Sequence, residues 1–460
     1  MNYRAKRWYV DSARELAVEI LVAVDEDDAY ANLLLPARLR QRNLRGRDAA
    51  FCTELTYGTL RDRDRIDTIL SVVSTRPVPQ LDPWVRNICR VGAHQLLNMR
   101  VPAHAAVAEM VDIARLRTST GPAQMVNAVL RRVSESTSQQ WNQTITEGLS
   151  EIDRLALVTS HPRWIVRALE ESAAAYGRAN ELPRILRANN DAPYVNLVAR
   201  PGLIDREELA DIAEEQLRTR VAYSPISPWG LIIEGGNPGR LAPVRQGAAA
   251  VQDAGSQLVA ALVVGAKPIV AGEKWLDMCA GPGGKAALLG ALGKQNSATV
   301  LANEISEHRA ELVRKATAGL NMEVICEDGR ELSGSYDRIL IDAPCTGLGA
   351  LRRRPEARYR KSPQDLAELT ELQRGLCYRG TQLVKPGGIV VYSTCSPHLS
   401  ETNMIVSEIL SKCPEMQLLD AAQIARQFTS AEIGSGPLLQ LWPDRDGTDG
   451  MFMVVLQKKN

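Results

Sequence analysis

Two cysteines in similar surroundings are the strongest candidates for chemistry in this sequence. Cys345 lies in DAPCTGLG and Cys395 in YSTCSPH, and each follows an apolar run typical of a buried strand. A cysteine in a loop beside Pro, Thr or Ser is poorly explained by packing, whereas a thiolate there can act as a nucleophile. Most other cysteines are interpreted as small buried hydrophobes, and these are Cys52, Cys89, Cys326, Cys377 and Cys413.

The reaction that two such thiols could share is methyl transfer to C5 of cytosine. C5 is a poor nucleophile until a thiolate adds to C6 of the ring and makes C5 electron-rich. The C5 proton must then leave, and the thiol must be eliminated. The reaction therefore needs a cysteine of low pKa, a proton acceptor and an acid contact at the N3 edge of the base.

A glycine-rich turn upstream of both cysteines predicts a ligand site. WLDMCAGPGGK (275–285) has the pattern of a buried strand, a turn and the start of a helix, and its glycines let the backbone approach a ligand closely. The turn lacks the GxGxxG spacing of a dinucleotide site. Ala286 stands where a P-loop requires Ser or Thr after its lysine.

Three acidic residues end the three strands predicted after this turn. They are Glu304 after ATVLAN, Asp328 in MEVICEDGR, and Asp342 in YDRILIDAP. A carboxylate at the end of the second strand is placed to hold a ribose diol, and Asp328 is placed to meet an adenine edge. Each acid alone could be a helix cap or turn residue. Together they suit adenosine joined to an amino acid, as in S-adenosyl-L-methionine.

The densest basic segment of the chain follows the Cys345 loop. In LRRRPEARYR (351–360), Arg352, Arg353, Arg354 and Arg358 are candidates for binding the phosphates of an RNA strand. A solvated surface loop is the alternative. A zinc deaminase is excluded because its His and Cys-x-x-Cys ligands are missing.

The elements that would position these residues fall into three regions. Apolar residues recur every three or four positions from residue 11 to about 135, which predicts an all-α domain. ESTSQQWNQTITEG (135–148) is polar and is interpreted as a linker, followed by a small α+β pattern. From 251 onward, short apolar strands alternate with helices. This predicts an α/β Rossmann-like domain with a mostly parallel, doubly wound sheet that binds ligands at the carboxyl ends of its strands. The expected domains are 1–140, 141–250 and 251–460.

Composition and charge limit the partners and the compartment. The net charge is +1, so any surface for nucleic acid must be local. The eight cysteines form no CxxC and no cluster at zinc-ligand spacing, which predicts no metal. LAVEILVAV is too short for a membrane span and is interrupted by Glu19. We therefore expect no membrane partner and a cytoplasmic location.

These motifs together resemble the Nol/Nop/Sun family of RNA cytosine-C5 methyltransferases. The matching stretches are QDAGSQ (252–257), LDMCAGPGGK, NE at 303–304, EDGR, DRILIDAPCTGLG, RRRPE, VKPGGIVVYSTCSPHLSETN and DGMFMVVL. Residues 11–135 resemble the NusB-type helical RNA-binding domain. The resemblance implies that S-adenosyl-L-methionine is the cofactor and that C5 of one cytosine in small-subunit (16S) ribosomal RNA is methylated. The implied partner is that RNA, free or in an assembling subunit.

The resemblance also implies roles for individual residues. Cys395 would be the nucleophile that adds to C6. Cys345 would help to release the product, as base for the C5 proton or in breaking the adduct, and Asp342 and Lys285 would reach the reaction centre. The implied cofactor contacts are Cys279, Ala280, Gly281, Pro282, Gly283, Gly284, Lys285, Glu304, Asp328 and Asp342. The turn reads CAGPGGKA where the family commonly has CAAPGGKT, and Glu304 replaces the commoner Asp, but no catalytic group is lost.

Three other functions compete with this interpretation. The chain could be a non-catalytic RNA-binding protein acting in transcription antitermination, with a degenerate methyltransferase half. Retention of both cysteines and all three acids argues against it. The same chemistry could act on tRNA, and the NusB-like region favours ribosomal RNA only by analogy. A DNA substrate is the third alternative.

Overall fold

The computed structural model describes residues 10–320 and 322–460. Nine α-helices form the N-terminal part of the described chain. They are α1 (Ser12–Glu26), α2 (Ala31–Gln41), α3 (Gly46–Arg61), α4 (Arg63–Val73), α5 (Pro83–Asn98), α6 (Ala103–Arg117), α7 (Thr120–Val133), α8 (Ser138–Thr146) and α9 (Glu151–Val158). The chain divides into two units. The first unit holds the residues through 167 together with 351–360, and the second holds 168–350 and 361–460.

The first unit is built around the apolar faces of these helices. In α1, Leu16, Ile20 and Val24 recur at helical spacing and are buried with Ile88 of α5 and Leu130 of α7 in one core. No strand occurs in the described residues of this unit. The all-α prediction is confirmed for this region.

The predicted linker at 135–148 is wrong, because it contains helix α8. Thr137 and Gln140 form a capping box at the start of that helix. Trp141 is buried, and its indole Nε1 donates a hydrogen bond to the carbonyl of Val133 at 2.9 Å. The polar composition hid a single aromatic anchor that docks the helix.

Helices and strands alternate in the rest of the chain. The helices are α10 (Arg163–Ala175), divided between the two units, α11 (Leu182–Ala188), α12 (Arg206–Leu217), α13 (Ala242–Gln246), α14 (Ala254–Gly265), α15 (Gly284–Gln295), α16 (Glu307–Ala316), α17 (Ala357–Arg360), α18 (Pro363–Leu383), α19 (Asn403–Lys412), α20 (Ala421–Ala425) and α21 (Pro443–Asp446). The strands are β1 (Val195–Ala199), β2 (Val221–Tyr223), β3 (Gly230–Ile233), β4 (Ala249–Val251), β5 (Lys274–Asp277), β6 (Thr299–Asn303), β7 (Glu323–Ile325), β8 (Tyr336–Asp342), β9 (Val384–Thr394), β10 (Met416–Leu419), β11 (Leu439–Gln440) and β12 (Phe452–Lys458). Short 3-10 turns include Leu348–Ala350 and Leu399–Glu401.

A small antiparallel sheet opens the second unit. Its strand order is β2-β3-β1-β4. Leu197 of β1 and Leu231 of β3 pack against Leu209 and Ala213 of α12. The small α+β region is therefore confirmed. The domain boundaries near 140 and 250 stay predictions.

The large sheet of the second unit positions the candidate site. Its order is β10-β12-β9-β8-β5-β6-β7, with β11 paired to β12. Strands β5 to β9 run parallel, whereas β12 is antiparallel to β9. Trp275 packs with α14 and α15, while the next residue, Leu276, packs with α18 and α19 on the opposite face. The predicted mostly parallel, doubly wound sheet is confirmed.

Candidate active site

The two loop cysteines meet at the carboxyl edge of the large sheet. Cys345 follows β8 and Cys395 follows β9, and the parallel register places Asp342 beside Ser393 just before them. The two Sγ atoms are 3.4 Å apart, and both side chains are partly exposed. Strand order alone predicted that these residues share an edge, and the structure brings them into contact.

The surroundings of Cys345 hold its proton in place. The contact with Cys395 and burial raise the pKa of the Cys345 thiol well above its ordinary value, and the negative charges of Glu401 and Asp342 add to this effect. Cys345 is therefore a protonated thiol beside the Cys395 sulfur. Of the two cysteines, Cys345 is the one whose surroundings favour the protonated form.

A partly buried ion pair lies next to the thiols. Lys285 Nζ is 2.9 Å from Asp342 Oδ2 and 3.2 Å from Ser256 Oγ, while Asp342 Oδ1 accepts a hydrogen bond from Ser393 at 2.9 Å. Burial would lower the pKa of Lys285, but the Asp342 carboxylate outweighs it, so that the pKa is raised. A charged ammonium close to Cys395 stabilises a thiolate there.

The glycine turn is closed against the end of the next strand. The Gly281 amide donates to Glu304 Oε2 at 3.0 Å, and a Cβ atom at Gly281 would lie only 2.1 Å from that oxygen. Gly283 has a φ of +108° and precedes the first residue of α15. Ala280 is buried, and burial raises the pKa of the Cys279 thiol well above its ordinary value. The Cys279 thiol is therefore uncharged and lines the turn.

The other two strand-end acids have local partners. Glu304 is buried, and its Oε1 accepts the amide of Ser306 at 3.1 Å. Asp328 accepts the Arg330 amide and guanidinium, which lowers the pKa of that carboxyl group. Asn303, which lies in the NE stretch but was not predicted as a site residue, joins the strand ends by donating to the carbonyls of Met278 and Glu327 at 3.1 Å each.

Two further polar groups beside the turn suit a polar ligand and were not identified from the sequence. Within the described part of the chain, Asp277 Oδ2 and both side-chain polar atoms of Gln252 are buried without a hydrogen-bond partner. A Cβ atom on Gly284 would lie 3.9 Å from Gln252 Cδ. Burial, and then the charge of Asp342, raise the pKa of Asp277 to about 7. Orphaned buried groups are costly, and the amino-acid part of S-adenosyl-L-methionine could satisfy them. Gln252 is the first residue of the QDAGSQ stretch, and that stretch was the sequence signal from which Gln252 could have been predicted as a site residue.

The arginine-rich segment requires a correction. Residues 351–360 belong to the first unit, where Arg352 and Arg358 are buried. Arg358 Nη1 donates to the carbonyl of Ser160 at 2.8 Å and to that of Arg61 at 3.1 Å. The Arg358 guanidinium therefore stabilises the unit by binding backbone carbonyls, and the burial of Arg352 and Arg358 argues against their contact with RNA. Of the four predicted contacts, only the partly exposed Arg353 and the exposed Arg354 remain candidates.

The described residues contain neither a membrane-spanning helix nor a cluster of metal ligands. Among those residues, no helix is both long and apolar enough to cross a bilayer. No group of three or more His, Cys, Asp or Glu side chains in the described ranges could hold a metal ion.

Comparison with protein families and curated proteins identifies relatives along the whole chain. A family described as 16S rRNA methyltransferase RsmB/F matches residues 267–457, and the NusB family matches 11–135. A Mycobacterium tuberculosis protein, described as a methyltransferase without a stated substrate, is 45% identical over 98% of both chains. The probable ribosomal RNA small subunit methyltransferase B of Bacillus subtilis is 31% identical over 97% of this chain and 99% of its own. The Vibrio cholerae ribosomal RNA small subunit methyltransferase B is 30% identical over 98% and 99%.

Solved structures share the fold at lower identity. The crystal structure of PH0851 superposes with a TM-score of 0.81 at 22% identity, covering 98% of this chain and 99% of that one. NSun6 from Pyrococcus horikoshii with SFG gives a TM-score of 0.51 at 19% identity, covering 64% of this chain and 98% of that one.

Proposed function

The chain belongs to the RsmB/F family of 16S rRNA methyltransferases, which use S-adenosyl-L-methionine, and from this we propose that it methylates C5 of one cytosine through a covalent Cys395–C6 bond. The observation that carries the proposal is the contact between Cys345 and Cys395, 3.4 Å apart at the ends of β8 and β9. A methyltransferase acting on an oxygen or an exocyclic nitrogen would need no thiol, whereas C5 chemistry needs a nucleophile and a proton carrier.

Each group beside the pair has a role in this chemistry. The Cys395 thiolate, stabilised by the Lys285 ammonium, attacks C6 and makes C5 nucleophilic. When bound, S-adenosyl-L-methionine supplies the methyl group from its sulfonium. Cys345 then assists release: its thiol gives a proton to the Cys395 sulfur as the C6–sulfur bond breaks, and the Cys345 thiolate so formed accepts the C5 proton as the C5–C6 double bond is restored. Asp342 orients Lys285 through their 2.9 Å ion pair.

We propose that the cofactor lies on the turn 279–285, with Glu304, Asp328 and Asp342 as side-chain contacts. The side-chain amide of Gln252 supports this placement. It is buried beside the turn without a hydrogen-bond partner, so a polar ligand on the turn could bind it. Gly281 fits the same proposal, since a larger residue would push Glu304 away from the turn.

The proposed partner is 16S rRNA, free or in an assembling small subunit, and we infer that the protein acts in the cytoplasm. The NusB-type region supports an RNA partner, and the partly exposed Arg353 and the exposed Arg354 follow the Cys345 loop in the sequence. Transfer RNA and DNA are the competing substrates, and a non-catalytic RNA-binding protein is the competing function.

The experiment that tests the proposal measures transfer of a labelled methyl group from S-adenosyl-L-methionine to unmodified 16S rRNA, small-subunit precursors, tRNA and DNA, followed by bisulfite mapping. We expect one 5-methylcytosine in the rRNA, and none in DNA of the same sequence. Methyl transfer to tRNA alone would agree with the proposed chemistry and would contradict 16S rRNA as the substrate. Cofactor binding without transfer to any substrate would favour the non-catalytic function.

Two cysteine variants test the nucleophile. Cys395→Ser should abolish both transfer and adduct formation, because the hydroxyl is not a thiolate equivalent at neutral pH. Cys326→Ser is the matched control, since this cysteine is also partly exposed but lies outside the pair. Turnover of Cys395→Ser near that of the control would refute the covalent mechanism.

A further inference from the structure

A fully buried carboxylate lies behind the two thiols and has no role in the proposed chemistry so far. Glu401 ends the 3-10 turn Leu399–Glu401, and its exposed fraction is 0%. Its oxygens accept the Thr346 amide at 2.8 Å, the Thr346 hydroxyl, and the Gln373 side-chain amide at 3.1 Å. Among the described residues, no Lys or Arg lies within salt-bridge distance of it.

The donors to Glu401 are neighbours of the reacting cysteines. Thr346 directly follows Cys345, and Gln373 Nε2 also donates to the carbonyl of Pro344, directly before Cys345, at 2.8 Å. The Thr346 hydroxyl is 3.1 Å from the hydroxyl of Ser396, which is itself buried and directly follows Cys395. The carboxylate therefore holds the Cys345 loop on both sides and reaches the Cys395 loop through one hydroxyl pair.

A second fixed point joins the same loops to the sheet. The backbone carbonyl of Glu401 accepts the buried hydroxyl of Tyr392 at 2.6 Å, and Tyr392 belongs to β9. The Gly349 amide donates to the carbonyl of Cys395 at 2.9 Å. Glu401 is thus anchored to the strand that presents Cys395 while its side chain holds the loop that presents Cys345.

Placing a carboxylate at this buried position costs free energy. Burial of an unpaired charge costs far more than burial of an apolar side chain of the same size, and only the three donated hydrogen bonds compensate. An apolar residue could pack the space but could not hold the Thr346 amide and hydroxyl at once. A negative charge here also acts on the Cys345 thiol, whose proton it helps to retain.

We propose that Glu401 is a positioning residue for methyl transfer, which sets the separation of Cys345 and Cys395 through Thr346, Gln373 and Ser396. This inference rests on the proposed cysteine chemistry. It assigns Glu401 no contact with the substrate or the cofactor, so its loss should affect turnover and thiol reactivity and leave cofactor binding intact.

The test compares Glu401→Gln, Thr346→Val and the control Glu408→Gln in the full-length protein. Glutamine keeps the shape of Glu401 but replaces one acceptor oxygen with a donor, and valine keeps the shape of Thr346 but removes its hydroxyl. Glu408 is a glutamate on α19 that pairs with Arg374 and Lys412 outside this network. The readouts are kcat and KM for S-adenosyl-L-methionine, the thermal shift on adding the cofactor, and the pH profile of Cys395 alkylation by iodoacetamide.

We expect Glu401→Gln to lower kcat by about 10²-fold, the loss typical of a reacting group misplaced by roughly 1 Å. KM for the cofactor and the thermal shift should match those of the control, and the alkylation profile of Cys395 should be displaced along the pH axis. The double variant Glu401→Gln/Thr346→Val should lose little beyond Glu401→Gln, because both changes break one network.

A parallel Cys395→Ser variant separates failure of this inference from failure of the proposed function. If Cys395→Ser keeps wild-type turnover, the cysteine chemistry itself is wrong. If Cys395→Ser is inactive but Glu401→Gln has the kcat and alkylation profile of the control, the positioning role is overturned and the chemistry stands. If Glu401→Gln does not fold, Thr346→Val decides: reduced kcat with normal KM supports the role, and control-like kcat overturns it.

Discussion

Replacing Arg358 and Arg354 separately by methionine tests a structural role for Arg358 and the proposed RNA-binding role for Arg354. Both residues come from LRRRPEARYR, yet Arg358 is fully buried in the first unit and Arg354 is exposed. Methionine is close to the length of the arginine stem and removes the guanidinium. We expect Arg358→Met to lower stability, and Arg354→Met to weaken binding of 16S rRNA.

The size of the stability loss follows from the contacts of Arg358. Its Nη1 donates to the carbonyls of Ser160 at 2.8 Å and Arg61 at 3.1 Å. Hydrogen bonds from a charged donor contribute about 1.5–3 kcal/mol each. Burial lowers the pKa of Arg358, which shows that the charged group carries a desolvation cost, and relief of that cost offsets part of the loss. The expected net loss is therefore about 2–4 kcal/mol, against about 0.5 kcal/mol or less for the exposed Arg354.

The two losses are measured by urea denaturation of the full chain, followed by circular dichroism, and by filter binding to 16S rRNA over a series of salt concentrations. Arg354→Met should reduce the salt dependence of log K by about one ion, the value for one phosphate contact. Equal denaturation midpoints for the two variants would refute the structural role of Arg358. An unchanged salt slope for Arg354→Met would remove that residue from the RNA surface.

Three further predictions address the catalytic edge. Cys345→Ser should accumulate a covalent RNA adduct on denaturing gels, because the Cys395 nucleophile remains while release is impaired; absence of the adduct would contradict the release role. Asp277→Asn should remove a pH dependence of the free energy of unfolding. The Asp277 carboxyl has a pKa of about 7 in the folded protein, so it stays protonated at pH values where the same group is ionised in the unfolded chain. The wild-type free energy of unfolding should therefore fall between about pH 4 and pH 7, by up to about 1.4 kcal/mol per pH unit. Melting temperatures of both proteins at pH 5 and pH 8 check this, and parallel profiles would contradict it. Lys285→Met should slow Cys395 alkylation and reduce the thermal shift with cofactor, because Asp342 loses its cation; wild-type values for both would contradict the assigned contacts.

The edge of the large sheet could be predicted because its residues follow from strand order. Cys345, Cys395 and Asp342 each stand just after an apolar run, and parallel strands bring their carboxyl ends to one side. The α/β alternation and the helical period of the first region also depend on short-range patterns, which a single sequence displays.

Long-range burial could not be predicted in the same way. Arg358 contacts residues about 200 and 300 positions earlier in the chain, and its sequence neighbours are arginines of ordinary surface character. Trp141 is the single aromatic residue in a polar stretch, and its hydrogen-bond partner is a backbone carbonyl. In each case one buried side chain fixes the local structure through its own hydrogen bonds, which leave no periodic pattern in the sequence. The polar composition of both segments therefore suggested a loop.

The electrostatics of the site favour different protonation of two chemically identical thiols. Asp342 and Glu401 bring negative charge towards the sheet edge, and this charge disfavours a second thiolate beside Cys395. The Lys285 ammonium is held there by Asp342 and acts on Cys395. A symmetric site would ionise either sulfur, and half of the molecules would present the wrong nucleophile. In the proposed mechanism, Glu401 acts on the Cys345 loop and Lys285 acts on Cys395, so that the Cys395 sulfur is the one that attacks carbon while Cys345 retains its proton.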